Sequence, residues 1–209
     1  MKRYPTTPLG LKLGIAFVLI GAFGWWGLDR ADRLGNERRL SSIASQIAGR
    51  DVEVHCPGPI GRALGQDTLE GSVSFDAAGN PADETKLRKT SCAELDALAE
   101  GRRKKELACT ERAGILCGRH ARELAMALDV ITHEAFHLRG IQDEARTECS
   151  SLQTMAATAQ GLGATPAQGA ALARGQLADA YPLMPEHYRS PDCAEGGALD
   201  LHPDDPRFP

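Results

Sequence analysis

Aromatic residues are scarce in this chain, at 5% of 209 positions. That excludes a base-stacking surface of the kind that holds single-stranded nucleic acid. A basic excess is also missing: 24 Lys and Arg stand against 28 Asp and Glu, a formal net charge of −4. Without that electrostatic footprint no nucleic-acid partner is expected. There is no internal repeat and no low-complexity tract. The six cysteines, Cys56, Cys92, Cys109, Cys117, Cys149 and Cys193, include no CxxC spacing. What remains is ordinary for a globular protein, 42% hydrophobic and 25% charged, and long enough for one domain with additions.

One segment departs from that average. Leu9 to Leu28 reads LGLKLGIAFVLIGAFGWWGL, with Lys12 its only charge. About 20 apolar residues span a bilayer as a helix. Lys12 can snorkel at one end, and the indoles of Trp25 and Trp26 suit the interface at the other. The competing reading is a cleaved signal peptide, with Lys2 and Arg3 as its basic start and Ala22-Phe23-Gly24 as a weak cleavage site. The expected organisation is an N-terminal membrane anchor (or uncleaved signal) over 1–30, a helical stalk over 31–50 and a domain over 51–209. An even set of scattered cysteines points to disulfides in an oxidising compartment. Arg30, Arg33, Arg38 and Arg39 follow the span and oppose that orientation by the positive-inside rule. The cysteines and the signal-like start together favour a single-pass protein with its domain outside the cytoplasm.

The domain reads as α+β and mostly helical. Asp51–Cys56 and Gly71–Asp76 alternate apolar and polar residues as half-buried strands do, and DAAGNPAD turns the chain, so a small sheet or hairpin is expected before residue 85. Ser91-Cys92-Ala93-Glu94 has the form of a capping box opening a helix that ends near Gly101. The run Arg102-Arg103-Lys104-Lys105 reads as a solvated face. Cys109 and Cys117 are spaced to close a local loop. Helices are expected over about 119–138, ended by Gly140, over 143–160 and over 166–181, before a tail rich in Pro and Gly.

The chemistry concentrates at His133-Glu134-Ala135-Phe136-His137. Two histidines four apart on a helix project from one face with a glutamate beside them. In this HExxH pattern neutral imidazoles ligate Zn²⁺ and the glutamate takes a proton from water. The flanking Val130-Ile131-Thr132 and Leu138 are uncharged, as a partly buried catalytic helix requires. A catalytic zinc takes a third protein ligand.

Downstream stands Gly140-Ile141-Gln142-Asp143-Glu144-Ala145-Arg146-Thr147-Glu148. An HExxH helix followed by one carrying two acids a turn apart resembles the gluzincin zinc metallopeptidases, over about residues 119 to 160. The resemblance implies a zincin-like domain, Glu134 as general base, Glu144 as third zinc ligand and Glu148 orienting His133 or His137 from behind. Two features depart from that group: the second acid is Glu rather than Asp, and the connection from His137 to Glu144 is short. A rival assignment reads HExxHxxGxxD, similar to some metzincins, with Asp143 as alternative metal ligand and Met155 as a Met-turn. Asp143 also stands where a helix N-cap belongs, which favours Glu144.

Tyr181, His187 and Tyr188 in the tail are read as surface residues, with an oxyanion role for a Tyr or His as the alternative. His55, His120 and His202 have no partners at ligand spacing. A Cys149–Cys193 bond would pin the tail across the site helices, as one pairing among the fifteen connectivities that six cysteines allow. The expected function is a membrane-anchored extracytoplasmic zinc metallopeptidase acting on a peptide or protein substrate. The alternatives are a catalytically inactive, zinc-stabilised cell-surface binding module and a zinc protein facing the cytoplasm.

Overall fold

The computed structural model describes residues 33–58, 71–205 and 208–209. The expected membrane anchor over 1–30 lies outside them. Among the described residues no helix is long and apolar enough to cross a membrane. The chain is α+β and mostly helical. A first helix, α1, covers 33–48. Two short strands follow, β1 (Glu53–His55) and β2 (Glu84–Lys86), and then α2 (Lys89–Ala99), α3 (Lys104–Ala113), α4 (Gly118–Leu138), α5 (Glu144–Gly161) and α6 (Pro166–Asp179). Two single-turn 3₁₀ helices, Tyr181–Leu183 and Glu186–Tyr188, begin the tail.

Asn36–Pro209 form one compact unit, so the domain starts ahead of the boundary expected at 51. The segment read as a stalk is helical, and Leu40, Ile43, Ala44 and Ala48 of that helix belong to the core. Its polar side chains also serve the sheet. Glu37 Oε1, Ser41 Oγ and Ser45 Oγ accept hydrogen bonds from the backbone N–H groups of Cys56, Val54 and Val52 at 2.8, 2.9 and 3.0 Å. Four residues of helix rise about 6 Å and two residues of strand about 6.6 Å. Every fourth residue of α1 therefore meets every second residue of the strand edge, and no N–H along it is left unpaired.

Of the expected small sheet or hairpin, a small sheet forms. β1 and β2 pair in parallel, with Val54 opposite Thr85, so the chain between them must cross over before pairing. Gly71–Asp76 contributes only one isolated antiparallel bridge, Phe75 to Pro81. The turn between is closed by Asp76, whose Oδ1 accepts from Ala78 N and Asn80 N. The expected capping box at Ser91 does not form: the N-cap is Arg88, three residues earlier, and Ser91 and Glu94 are buried within α2. Arg103 is not part of a solvated face either. Its guanidinium donates from Nε and Nη2 to the two oxygens of buried Glu94, at 2.6 and 2.8 Å.

Disulfides join Cys56 to Cys92, Cys109 to Cys117 and Cys149 to Cys193. They tie β1 to α2, close the α3–α4 loop and fasten the tail to α5. At the centre lies α4, in which every residue from Ile131 to Leu138 is buried. Its C-terminal end is held by Arg50, whose Nε donates to Leu138 O at 3.0 Å and whose Nη2 donates to Ala82 O at 2.6 Å.

Candidate metal centre

The site is made by how α4 stops and α5 starts. Gly140 N–H donates to His137 O at 2.8 Å, and Ile141 N–H donates to Phe136 O at 3.2 Å. That pair is a Schellman closure, and it needs the positive φ of 104° that Gly140 adopts. Asp143 then caps α5, its Oδ1 accepting from Arg146 N at 2.8 Å. Glu144 is thereby the first residue of α5, directly after a turn short enough to face it back toward α4.

His133, His137 and Glu144 meet there, their ligand atoms all within 4.8 Å of one another. His133 Nε2 lies 3.0 Å and His137 Nε2 3.3 Å from the same oxygen, Glu144 Oε2. The other ring nitrogens are spoken for. His133 Nδ1 donates to Glu148 Oε2 at 2.9 Å, and His137 Nδ1 donates to the backbone oxygen of Ile141 at 2.6 Å. In a neutral ring with the hydrogen on Nδ1, Nε2 offers the lone pair that a metal takes. Two imidazole nitrogens and a carboxylate oxygen converging on one point are the kind of donor set that a divalent metal takes. Ligands at 2.0–2.1 Å from a tetrahedral zinc are about 3.3 Å apart, close to the spacings found. Among the described residues no lysine or arginine pairs with Glu144, Glu134 or Glu148. The donor set therefore fits a zinc ion.

Of the two candidates for third ligand, the cluster contains Glu144, while the Asp143 carboxylate is engaged as a cap. Met155 is buried inside α5 and forms no turn. Glu148 reaches His133, and the backbone serves His137.

Glu134 is buried, and its Oε2 has no hydrogen-bond partner among the described residues. Burial pushes its carboxyl up from 4.5 to about 7, with His133 opposing and Glu144 adding to the rise. Gly71 packs so closely on it that a Cβ at that position would lie 2.7 Å from Glu134 Cγ and Oε1. A larger residue at 71 would force the Glu134 side chain to shift. Beside Glu134 and His133 opens a cavity of about 310 Å³, with Met126, Val130, Met184 and Pro185 on its walls.

Tyr188 also lines this cavity, its ring centroid 5.7 Å from that of His133. The surface reading of Tyr188 is thus corrected. The Cys149–Cys193 bond and the bond from Ser190 N–H to Tyr181 Oη at 2.9 Å hold the tail that carries it. His187 stacks on Tyr188 rather than on the site pair. His120 has partners that its sequence position did not suggest: its Nδ1 lies 3.1 Å from Glu94 Oε1 and 3.3 Å from Glu123 Oε2. His55 sits between Glu53 and Glu84 on the sheet, and His202 is exposed. Asp129 was missed altogether. The signal for it was present, since 129, 133 and 137 share one helical face.

No family model, no curated protein and no solved structure matches this chain.

Proposed function

We propose that the protein is a zinc metallopeptidase of gluzincin-like type, with a zincin-like helical domain. His133, His137 and Glu144 hold the metal. The observation that carries this reading is the convergence of two imidazole nitrogens and a carboxylate oxygen on one point, with Glu134 beside them, its Oε2 buried and without a partner among the described residues. A zinc ion there supplies Lewis-acid polarisation of the scissile carbonyl and of water. Glu134 takes the proton from the attacking water and passes it to the leaving amine nitrogen. Its dry surroundings hold its proton affinity near the range such a relay needs. Tyr188 lines the same cavity and supplies a phenol to the oxygen that gains charge as the carbonyl carbon becomes tetrahedral. Glu148 fixes the ring of His133. The substrate is a peptide or protein. The apolar run of residues 9–28 serves as a membrane anchor, and the three disulfides support a domain outside the cytoplasm.

The test uses the full chain in detergent. Metal analysis should find about one zinc per chain, as a three-ligand site requires. A peptide library should be cleaved, and Glu134→Gln should retain zinc while losing ~10²-fold or more of the rate. Equal cleavage by Glu134→Gln would remove Glu134 as the base. A chain that holds zinc and cleaves nothing is instead a zinc-stabilised binding module.

A further inference from the structure

The chain after α6 is fastened differently from the rest of the domain. Helices α1 to α6 share one large core. The tail joins a small second cluster, whose buried members are Cys149, Leu152, Tyr181 and Cys193. From 182 to 205, Cys193 is the only buried residue. Its polar ties are also sparse. Gln153, one turn after Cys149 on α5, donates from Nε2 to Leu199 O at 2.9 Å and accepts from Leu201 N–H at 2.7 Å. Those contacts hold the chain only from Leu199 onward. The bond from Ser190 N–H to Tyr181 Oη ties the loop to the residue that starts it.

This thinly packed loop nevertheless supplies one wall of the cavity, through Met184, Pro185 and Tyr188. Segments with few buried apolar contacts open locally at low free-energy cost. The Cys149–Cys193 bond is the covalent stop on that opening. On α5, Glu144 and Glu148 face the histidines, while Cys149 and Gln153, one and five positions after Glu148, hold the tail. The two duties lie on neighbouring faces of one helix, so the loop can leave without moving the proposed ligands. The other two disulfides do not border the cavity: Cys56–Cys92 joins β1 to α2, and Cys109–Cys117 closes the α3–α4 connection.

We propose that the Cys149–Cys193 bond is a redox-sensitive switch: intact, it holds the loop of residues 182–192 against the cavity, and reduced, it releases that loop and Tyr188 with it while the metal stays. The effect on hydrolysis rests on the zinc metallopeptidase reading, and the release of the loop does not. The step is exchange with a dithiol. One thiolate of the dithiol attacks a sulfur of the bond, and the other cysteine sulfur leaves and takes a proton. The second thiol then closes on the mixed disulfide. The dithiol ends as a cyclic disulfide, having given two electrons, and Cys149 and Cys193 end as thiols. Both cysteines are buried, so exchange proceeds through local opening of the tail.

The experiment reads loop position and hydrolysis separately, on the full chain in detergent. The sequence has three tyrosines, Tyr4, Tyr181 and Tyr188. Fluorotyrosine labelling therefore gives three fluorine NMR lines, and Tyr188→Phe assigns one of them. In the oxidised chain the Tyr188 ring lies against His133, and its line should stand apart from that of free fluorotyrosine. In the double variant Cys149→Ser with Cys193→Ser the line should narrow and move to the free value. The double alanine variant repeats the test with a different side chain. Zinc should stay at about one per chain, and peptide hydrolysis should fall ~10²-fold, the effect of losing one oxyanion donor. On the wild type, dithiothreitol should move the same line, and re-oxidation should bring it back. An unmoved Tyr188 line in both double variants would overturn the proposal. Loss of zinc and fold in both would also overturn it, because the bond would then be part of the domain's framework. A line that dithiothreitol never moves would make the bond structural only, and a released loop with undiminished hydrolysis would remove the switch. A wild type that cleaves nothing, yet whose Tyr188 line moves on reduction, would sink the peptidase reading and support the release of the loop.

Discussion

Helix α4 carries a histidine–carboxylate group at each end, and the two differ in one respect. At its N-terminal end His120 meets Glu94 and Glu123, and at its C-terminal end His133 and His137 meet Glu144. The first group includes Arg103, which delivers two N–H donors to Glu94. Its histidine side chain is 42% exposed. In the second group both histidines are buried, as are Glu134 and Glu148 beside them, while the Glu144 side chain is 35% exposed, and no guanidinium or ammonium among the described residues pairs with these acids. Similar residue types thus give an ion cluster with a resident guanidinium in one place and, among the described residues, one without it in the other. The presence or absence of a resident positive charge separates them.

The largest expected contrast comes from removing one histidine from each group. His133→Ala should take zinc from about one per chain to near none, because two ligands do not make a catalytic zinc site. His120→Ala should leave zinc content unchanged. Metal analysis of both variants checks the pair, and zinc loss from His120→Ala would end the distinction.

A smaller effect is expected from Glu148→Gln. The amide still accepts from His133 Nδ1 through its oxygen but carries no charge, and zinc affinity should fall ~10–100-fold, as for other partners of a ligating imidazole. Chelator competition measures it. Glu123→Gln, on the other group, should change nothing in that assay.

Arg103→Ala should act on stability alone. It leaves Glu94 buried without its cation, at a cost of about 2–3 kcal/mol, below the range for fully buried pairs because the cluster lies near solvent. Urea unfolding of the zinc-loaded chain reads it. The sign with pH follows from Glu94. Burial raises its pKa, but the hydrogen bonds from Arg103 and His120 outweigh that and hold it below the ordinary 4.5. A depressed folded-state pKa gives stability that is present above the unfolded value and is lost as pH falls through the folded value. Arg103→Ala should therefore flatten the fall in stability below about pH 4.5. An acid limb as steep as that of the wild type would show that Arg103 is not what holds Glu94. The smallest effect is that of His120→Ala on stability, under ~1 kcal/mol for a half-exposed pair, read by the same unfolding curves.

Much of the helical layout was legible because its signals are local. Asp143 as a cap, Gly140 at a helix end and Pro166 at a helix start mark the boundaries of α4, α5 and α6 within a residue or two. The 133–137 spacing places two imidazoles on one face whatever surrounds them. The misreadings were of a different kind. Ser91 and Glu94 have the spacing of a cap, yet Cys92 and Glu94 are drawn inside α2 by partners 36 residues upstream and 9 downstream. Arg103 looks solvated beside Arg102 until Glu94 is seen beneath it. Residues 36–48 look like a polar stalk because the value of Glu37, Ser41 and Ser45 lies in a strand edge that follows them.

The sequence by itself determined which side chains can bear the chemistry, since helical periodicity and caps are set by neighbours within a turn. Only the tertiary structure decided which acids lack a cation among the described residues, that Glu144 turns back to the two histidines, and that Tyr188 lies beside His133. Each of those depends on desolvation and on contacts between residues far apart in the chain. A carboxylate becomes costly, or useful, only when packing has removed its water.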